Sequence, residues 1–210
     1  GYFTLYNRNN NRTKIVKVRL CDMAVVKVSA PLKIKHANEI TYNTKKNIIV
    51  VANSTPTPKK LTIISPYTLK IKKTKTIKLK GKIKGMSQSQ RQNFLGVGAI
   101  AYNAKHDCYI CYTRKYHNLL FLDGKLKPYK HIKQNARTKL LFQGMDSYKN
   151  CIMLCQSFKG KKKYNTVTIY NMKGKAISRF KIPMGAERRE LETVFHDGNQ
   201  FYRSEEHTSE

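Results

Sequence analysis

Histidine, amide and carboxylate side chains stand at the start of several short apolar segments of this 210-residue chain. The candidates are His36, Asn38 and Glu39 before ITYN, Gln143 and Asp146 around the start of MDSY, and Glu190 and Glu192 before TVFHD. Such a set could bind a sugar, a cationic group or an oxygen-seeking ion such as Ca²⁺. Side chains of these types also cap turns and tie neighbouring elements together, so a structural role stays open. The sequence has no G-x-S-x-G, H-E-x-x-H or phosphate-loop motif, so we predict no catalytic residue.

The five cysteines do not form a recognisable metal or disulfide pattern. Their number is odd, and the chain has enough apolar residues to fold without disulfides. Cys108 and Cys111 have CxxC spacing but lie in the apolar run CYICYT, which reads as a strand. Because residues i and i+3 of a strand point to opposite faces, one metal ion could not easily bind both thiols. We predict structural cysteines and no bound metal.

The elements that must position the polar set come from an internal repeat. Four stretches combine a short strand, a polar turn and a second apolar strand: EITYN-TKKN-IIVVANS from residue 39, GAIAYN-AKHD-CYICYTR from 98, GMDSYKN-CIMLCQSF from 144 and LETVFHDGN-QFY from 191. This pattern is typical of β-hairpins.

Two more strands follow each of the first three hairpins, in KLTIISPYTLKIKKTKTI, NLLFLDGKLKPYKHIK and NTVTIYNMKGKAISRFKI. Antiparallel units of four strands with this period predict an all-β chain, a partial β-propeller of about four blades whose ring is not closed. We place the blades at 1–35 (partial), 36–94, 95–137, 138–186 and 187–202 (partial), and read 81–93 as a loop between blades. Because the first strand of a blade lines the central channel, the polar set would lie at the channel mouth.

The two ends of the sequence look like cuts. RSEEHTSE (203–210) resembles a translated sequencing adapter, so we treat 1–202 as a propeller fragment and 203–210 as a non-native tail. The apolar runs are also too short for a transmembrane helix.

Basic residues greatly outnumber acidic ones, 42 to 12, which gives a formal charge of +30. Nine of the acids lie outside the suspected tail, and four of these nine, Glu39, Asp146, Glu190 and Glu192, fall at equivalent blade positions. Such a positive field attracts nucleic acid, anionic cell-wall polymers or lipid headgroups. A merely solvated lysine surface would have the same composition.

The phrases HANEITYN, NIIVVAN and LTIISPYTLKI resemble the propeller repeats of the NHL, YVTN and YWTD kind. They look most like those of a group of uncharacterised propeller proteins from Firmicutes, as do FQGMDSYKN and ELETVFHDGNQFY. The resemblance covers roughly residues 36–202 and implies an extracellular or cell-surface location. It brings no activity with it.

We therefore predict a non-enzymatic binding or scaffold module with a ligand at the channel mouth. The predicted ligand-binding residues are His36, Asn38, Glu39, Gln143, Asp146 and Glu192. No cofactor is predicted, with Ca²⁺ as the one ion to consider, and the full-length protein is expected to be a monomer. Two alternatives stay open: a lactonase- or cyclase-like propeller enzyme with a carboxylate-bound metal, and a binder of anionic polymer or nucleic acid that works through lysines.

Overall fold

The computed structural model describes residues 1–53, 56–135, 141–157, 164–183 and 190–206. Strands dominate these residues. They are β1 (Tyr2–Asn7), β2 (Arg12–Val18), β3 (Val25–Val28), β4 (Ala37–Asn43), β5 (Ile48–Asn53), β6 (Lys60–Ile64), β7 (Ile71–Thr76), β8 (Val97–Asn103), β9 (Cys108–Thr113), β10 (Leu119–Asp123), β11 (Pro128–Ile132), β12 (Leu141–Tyr148), β13 (Cys151–Ser157), β14 (Tyr164–Asn171), β15 (Ala176–Pro183), β16 (Glu190–Asp197) and β17 (Gln200–Glu206).

The strands form five antiparallel sheets in which chain neighbours are also neighbours in space. Sheet 1 is β1-β2-β3, sheet 2 is β4-β5-β6-β7, sheet 3 is β8-β9-β10-β11, sheet 4 is β12-β13-β14-β15 and sheet 5 is β16-β17. The predicted four-stranded units are therefore present three times in full.

The inner strands β4, β8, β12 and β16 lie side by side and run in the same direction. The hydroxyl of Thr41 in β4 accepts a hydrogen bond from the Tyr102 amide in β8 at 2.9 Å. Further along, the Asn103 side chain of β8 donates to the Ser147 hydroxyl of β12 at 2.8 Å. Sheets that repeat in this way around a shared set of inner strands form a partial β-propeller, as predicted.

Sheet 1 joins this arrangement differently. Its strand β1 runs opposite to β4, because Tyr2 contacts Tyr42 at the end of β4 while Tyr6 stacks on His36 before its start. Phe3 also meets Phe195 of sheet 5, with ring centroids 5.5 Å apart. Within the described residues no strand of sheet 1 pairs with a strand of sheet 5, so the ring is not closed by a shared sheet.

Apolar side chains fill the space between successive sheets, which explains why the second strand of each unit is apolar on both faces. In β9, Cys108 packs toward sheet 4, whereas Cys111 packs toward sheet 2. The two thiols thus face opposite sides of the strand, as predicted. In β5, Val50 also packs toward sheet 3, and Val51 packs toward sheet 1.

The repeated Tyr-Asn pair builds the hairpin turn. The hydroxyls of Tyr6, Tyr42 and Tyr102 each donate to the side chain five residues later, at 2.6–2.8 Å. These acceptors are Asn11, Asn47 and Asp107, which adopt positive φ angles of 45–52°. Asn and Asp tolerate this left-handed conformation better than most residues, so the turn selects them.

The segment 81–93, predicted as a loop, contains the one helix of the described residues, α1 (Gln88–Gln92). Ser87 caps it in a reciprocal arrangement with Gln90, which is the capping-box pattern. Just before it, Lys84 makes a parallel bridge with Lys130 and so covers the outer edge of sheet 3. The prediction of a plain loop was wrong for residues 88–92.

The blade boundaries given in the sequence analysis stay predictions. Residues 203–206 of the suspected tail continue β17 and pair with β16. In the part of the chain that the structure describes, no helix is long and apolar enough to span a bilayer.

Candidate functional site

Each inner strand that carries predicted site residues has an irregular register near its start. The pairing shifts between Ala37 and Glu39 in β4, between Phe142 and Met145 in β12, and between Leu191 and Thr193 in β16. A shift of this kind bends a strand and redirects its side chains. Asn38, Gln143 and Glu192 lie within these irregular stretches, and we call this end of the inner strands the channel mouth.

Glu39 connects three sheets at the channel mouth. Its carboxyl group accepts a hydrogen bond from the Met145 amide of sheet 4 at 2.9 Å and lies 3.4 Å from the Thr193 hydroxyl of sheet 5. Only 5% of the residue is exposed. Burial, and to a smaller extent the nearby Asp146, raises the pKa of Glu39 well above its ordinary value.

Gly144 makes this close approach of three sheets feasible. A Cβ atom at this position would lie 2.5 Å from the backbone oxygen of Glu192 and 2.7 Å from Oε2 of Glu39. Both distances are far below van der Waals contact, so any side chain at residue 144 would separate the sheets.

Asp146 and His196 form a second contact between sheets 4 and 5. Oδ2 of Asp146 lies 2.5 Å from Nδ1 of His196, and the Tyr148 ring lies against the imidazole at 4.5 Å. The hydrogen bond to Asp146 raises the pKa of His196. The hydrogen bond therefore stabilises the protonated imidazole relative to the neutral one.

The two predicted amides are anchored within the fold. The Asn38 side chain donates to the backbone oxygen of Gly98 in sheet 3. The Gln143 side chain donates to the Ser157 hydroxyl at 2.7 Å. These contacts fix the orientation of both amides at the channel mouth.

The remaining predicted residues lie at the margins. His36 is exposed, has a positive φ of 42° and stacks on Tyr6 at 5.0 Å, so it contacts sheet 1. Glu192 is half-buried in β16. The side chain of Glu190 is outside the described part of the structure.

The sequence analysis missed His196 and Thr193, which contact the predicted residues Asp146 and Glu39. A stricter alignment of the repeats offers a signal for His196, since it occupies in β16 the place of Tyr42 in β4 and Tyr102 in β8. No comparable signal marks Thr193, because its role depends on contact with Glu39, which is 154 residues away.

The predicted residues provide anchored polar groups at the channel mouth. One surface depression of about 290 Å³ is lined mainly by β1 and β2, and another of about 700 Å³ by 82–86 and Tyr129. Neither is lined by the six predicted residues. No three His, Cys, Asp or Glu side chains of the described residues come together as a metal-binding group.

Comparisons with known proteins found similarity in fold. No protein-family model matches the chain, and no curated protein matches it. A chain of the nidogen–laminin complex aligns with a TM-score of 0.61 at 7% identity, over 97% of this chain and 84% of that one. Hydrazine synthase from Kuenenia stuttgartiensis aligns with a TM-score of 0.51 at 9% identity, over 93% of this chain. This chain spans 49% of that synthase chain.

The alignment with the WD40 repeats of RRP9 is weaker, with a TM-score of 0.46. Together with the repeated sheets and the shared inner strands, the two stronger alignments place the chain in the class of β-propeller-like proteins. At such low identities the likeness concerns the fold alone.

Proposed function

We propose that this chain is a non-enzymatic binding or scaffold module whose ligand contacts the channel mouth. The proposed site comprises the six predicted residues: His36, Asn38, Glu39, Gln143, Asp146 and Glu192. The observation that carries the proposal is the convergence of sheets 2, 4 and 5, where Glu39 reaches both Met145 and Thr193. Polar groups from several sheets on a rigid scaffold are typical of binding sites.

A hydroxyl-rich ligand such as a sugar fits these groups best. Asn38 and Gln143 are amides that can both donate and accept hydrogen bonds, and Glu192 adds an acceptor. Their anchoring keeps the loss of side-chain entropy on binding small. Glu39 and Asp146 are buried, so in this proposal they support the more accessible residues from behind.

Calorimetric titration with a neutral trisaccharide, maltotriose or chitotriose, tests the proposal. Asn38→Ala should weaken binding by about tenfold, because one to two hydrogen bonds of about 1 kcal/mol each are lost. Asn150→Ala, in the exposed β12–β13 turn at the opposite end of the inner strands, is the matched control and should bind like the unchanged protein. If neither sugar binds, or if both variants behave alike, this site does not serve as a sugar site.

The metal-dependent enzyme alternative is tested in the same samples. A carboxylate-bound ion would raise the melting temperature in Ca²⁺ and lower it in chelator. An unchanged melting temperature under both conditions argues against that alternative.

A second candidate function is the binding of polyanions through lysines. The observation in its favour is that the outer strands of sheets 2 and 4, β7 and β15, are largely exposed and carry basic residues, such as Lys72 and Lys73 in β7. An anionic cell-wall polymer and nucleic acid are both partners of this kind. Binding to polyphosphate that weakens steeply with salt concentration would support it.

Three further proposals concern the relatives of the chain, its location and its oligomeric state. We propose that the chain is related to propellers of the NHL, YVTN and YWTD kind, and within them to a group of uncharacterised propeller proteins from Firmicutes, and that it is exported or held at the cell surface. We also propose that the full-length protein is a monomer. The phrases quoted above support the first two expectations, and sedimentation of the full-length protein tests the third.

A further inference from the structure

The turns within the hairpins of sheets 2 to 5 lie at one end of the molecule, opposite the channel mouth. In an antiparallel sheet of order β4-β5-β6-β7, the β4–β5 and β6–β7 turns share one edge. Contacts between sheets confirm that these edges coincide: the His106 ring lies 3.1 Å from the Asn150 side chain, and Tyr148 donates to Asn199 at 2.6 Å. We call this end the hairpin face.

The hairpin face carries many exposed lysines. They are Lys45, Lys46, Lys70, Lys105, Lys125, Lys127, Lys149, Lys173 and Lys175. The acids beside them are engaged in the turns. Asp107 accepts the Tyr102 hydroxyl at 2.7 Å, and Asp123 accepts the amides of Lys125 and Lys127 at 2.8 Å.

The lysines are concentrated where sheets 2 and 3 meet. The ammonium groups of Lys46 and Lys75 donate to backbone oxygens of Gly124 and Lys125 in the β10–β11 turn. Burial and three neighbouring lysines, Lys73, Lys127 and Lys46, lower the pKa of Lys75 despite the presence of Asp123. Positive charges this close together repel each other, so an anion bound where sheets 2 and 3 meet would be stabilised.

Two exposed tyrosine rings lie at the same turns of sheet 2 as Lys46 and Lys70, on the side that faces sheet 1. Tyr42 is 36% exposed and Tyr67 is 69% exposed. Asn47 holds both hydroxyls, since it accepts from Tyr42 at 2.6 Å and donates to Tyr67. Lys27 fixes the same turn by donating to the Tyr67 backbone oxygen at 2.7 Å. The rings are thus positioned by their polar ends, while their apolar faces reach solvent.

We propose that the hairpin face binds single-stranded nucleic acid, with phosphates on Lys46 and Lys70 and a base stacked on Tyr67. This inference rests on the second candidate function and names its ligand. A positive surface attracts any polyanion, but exposed rings add favourable energy only for a ligand that carries flat bases. Lysines without Tyr42 and Tyr67 would instead fit a polymer that lacks rings.

The test measures fluorescence anisotropy of labelled oligo(dT) bound to the full chain, with polyphosphate as a ligand that has charge but no bases. Tyr67→Ala should weaken oligo(dT) binding by about tenfold, since one stacked base is worth 1–3 kcal/mol. Polyphosphate affinity should stay unchanged. Tyr67→Phe keeps the ring and should retain most of the oligo(dT) affinity. Because Tyr67 is exposed, these variants are expected to fold, which circular dichroism checks.

The salt dependence of the oligo(dT) affinity measures the contribution of the lysines separately from that of the tyrosine ring. Lys46→Gln and Lys70→Gln should each reduce the slope of log affinity against log salt by about 0.7. Lys59→Gln, an exposed lysine at the opposite end, should leave the slope unchanged.

Three results would overturn the inference. Equal effects of Lys59→Gln and Lys46→Gln mean that charge acts diffusely. Tyr67→Ala without effect on oligo(dT), while polyphosphate binds, leaves the polyanion candidate standing and removes nucleic acid as its ligand. No binding of either polymer at low salt removes both. Sugar binding at the channel mouth is measured separately and is independent of all three results.

Discussion

Glu39 is a carboxyl group that the fold withdraws from water and surrounds with groups from three sheets. A buried carboxylate is costly unless it is paired with a positive charge, and the contacts of Glu39 are two backbone amides, of Met145 and Ile40, and the Thr193 hydroxyl. Its raised pKa expresses this cost. At neutral pH the protein therefore either ionises Glu39 at the expense of stability or keeps its proton.

Replacement of Glu39 by Gln should stabilise the protein at neutral pH. Glutamine keeps an oxygen for the Met145 amide and cannot ionise. Since the folded-state pKa is raised, the contribution of Glu39 to stability is fully present below its ordinary pKa and is lost as pH rises through the folded-state value. Glu39→Gln should thus raise the melting temperature at neutral pH by about 2 °C or more, the equivalent of about 1 kcal/mol.

Measurement of melting temperature across pH provides the internal control for Glu39→Gln. The difference between the variant and the unchanged protein should shrink toward acid pH, where Glu39 is neutral in both folded and unfolded states. A difference that is constant with pH would mean that packing, and not ionisation, is the cause.

At the scale of elements, the asparagine after each repeated tyrosine links one sheet to the next. Asn43 and Asn103 are completely buried. Each accepts a backbone amide within its own turn and donates to the following sheet: Asn43 to the Tyr109 hydroxyl at 2.7 Å, and Asn103 to Ser147 and Lys149. The repeated phrase in the sequence therefore encodes both a turn and an attachment between sheets.

Replacement of Asn103 by Ala should lower the free energy of unfolding by about 2–3 kcal/mol. The variant loses the turn contact to the His106 amide and leaves buried partners in sheet 4 unsatisfied. Chemical denaturation measures this loss, and Asn9→Ala in the exposed β1–β2 turn serves as the control. A loss no larger than that of the control would show that sheets 3 and 4 do not depend on this asparagine.

The sequence predicts the hairpin units well because alternation and turn residues are local. The strands of sheets 2, 3 and 4 follow from such patterns, as do the opposite faces of Cys108 and Cys111. The helix α1 was not predicted because it is short and lacks a periodic apolar face, although its Ser87–Gln90 capping pair is visible in the sequence. The direction of β1 relative to β4 depends on packing between sheets, which local patterns do not contain.

At the scale of the whole molecule, the candidate site likewise has features that the sequence reveals and features that only the packing of sheets determines. The residue types at the start of the inner strands were visible as polar exceptions in a basic chain. Their partners were not: Glu39 meets Met145 across 106 residues, and Asp146 meets His196 across 50. Whether an acid faces solvent or a neighbouring sheet is decided by the arrangement of sheets around the axis.

That arrangement has a contact between its first and last sheets, which a double-mutant cycle can measure. Phe3 and Phe195 meet edge to face at 83°, a favourable geometry for aromatic rings. Phe3→Ala and Phe195→Ala should each lower the free energy of unfolding, and the cycle should give a coupling energy of about 0.5–1.5 kcal/mol. Phe180→Ala in the outer strand β15, paired with Phe3→Ala, is the control and should give no coupling, because Phe180 is largely exposed in a different sheet. If the Phe3–Phe195 coupling is equally absent, sheets 1 and 5 do not stabilise each other in solution, and the stability of sheet 1 then depends on its packing against sheet 2.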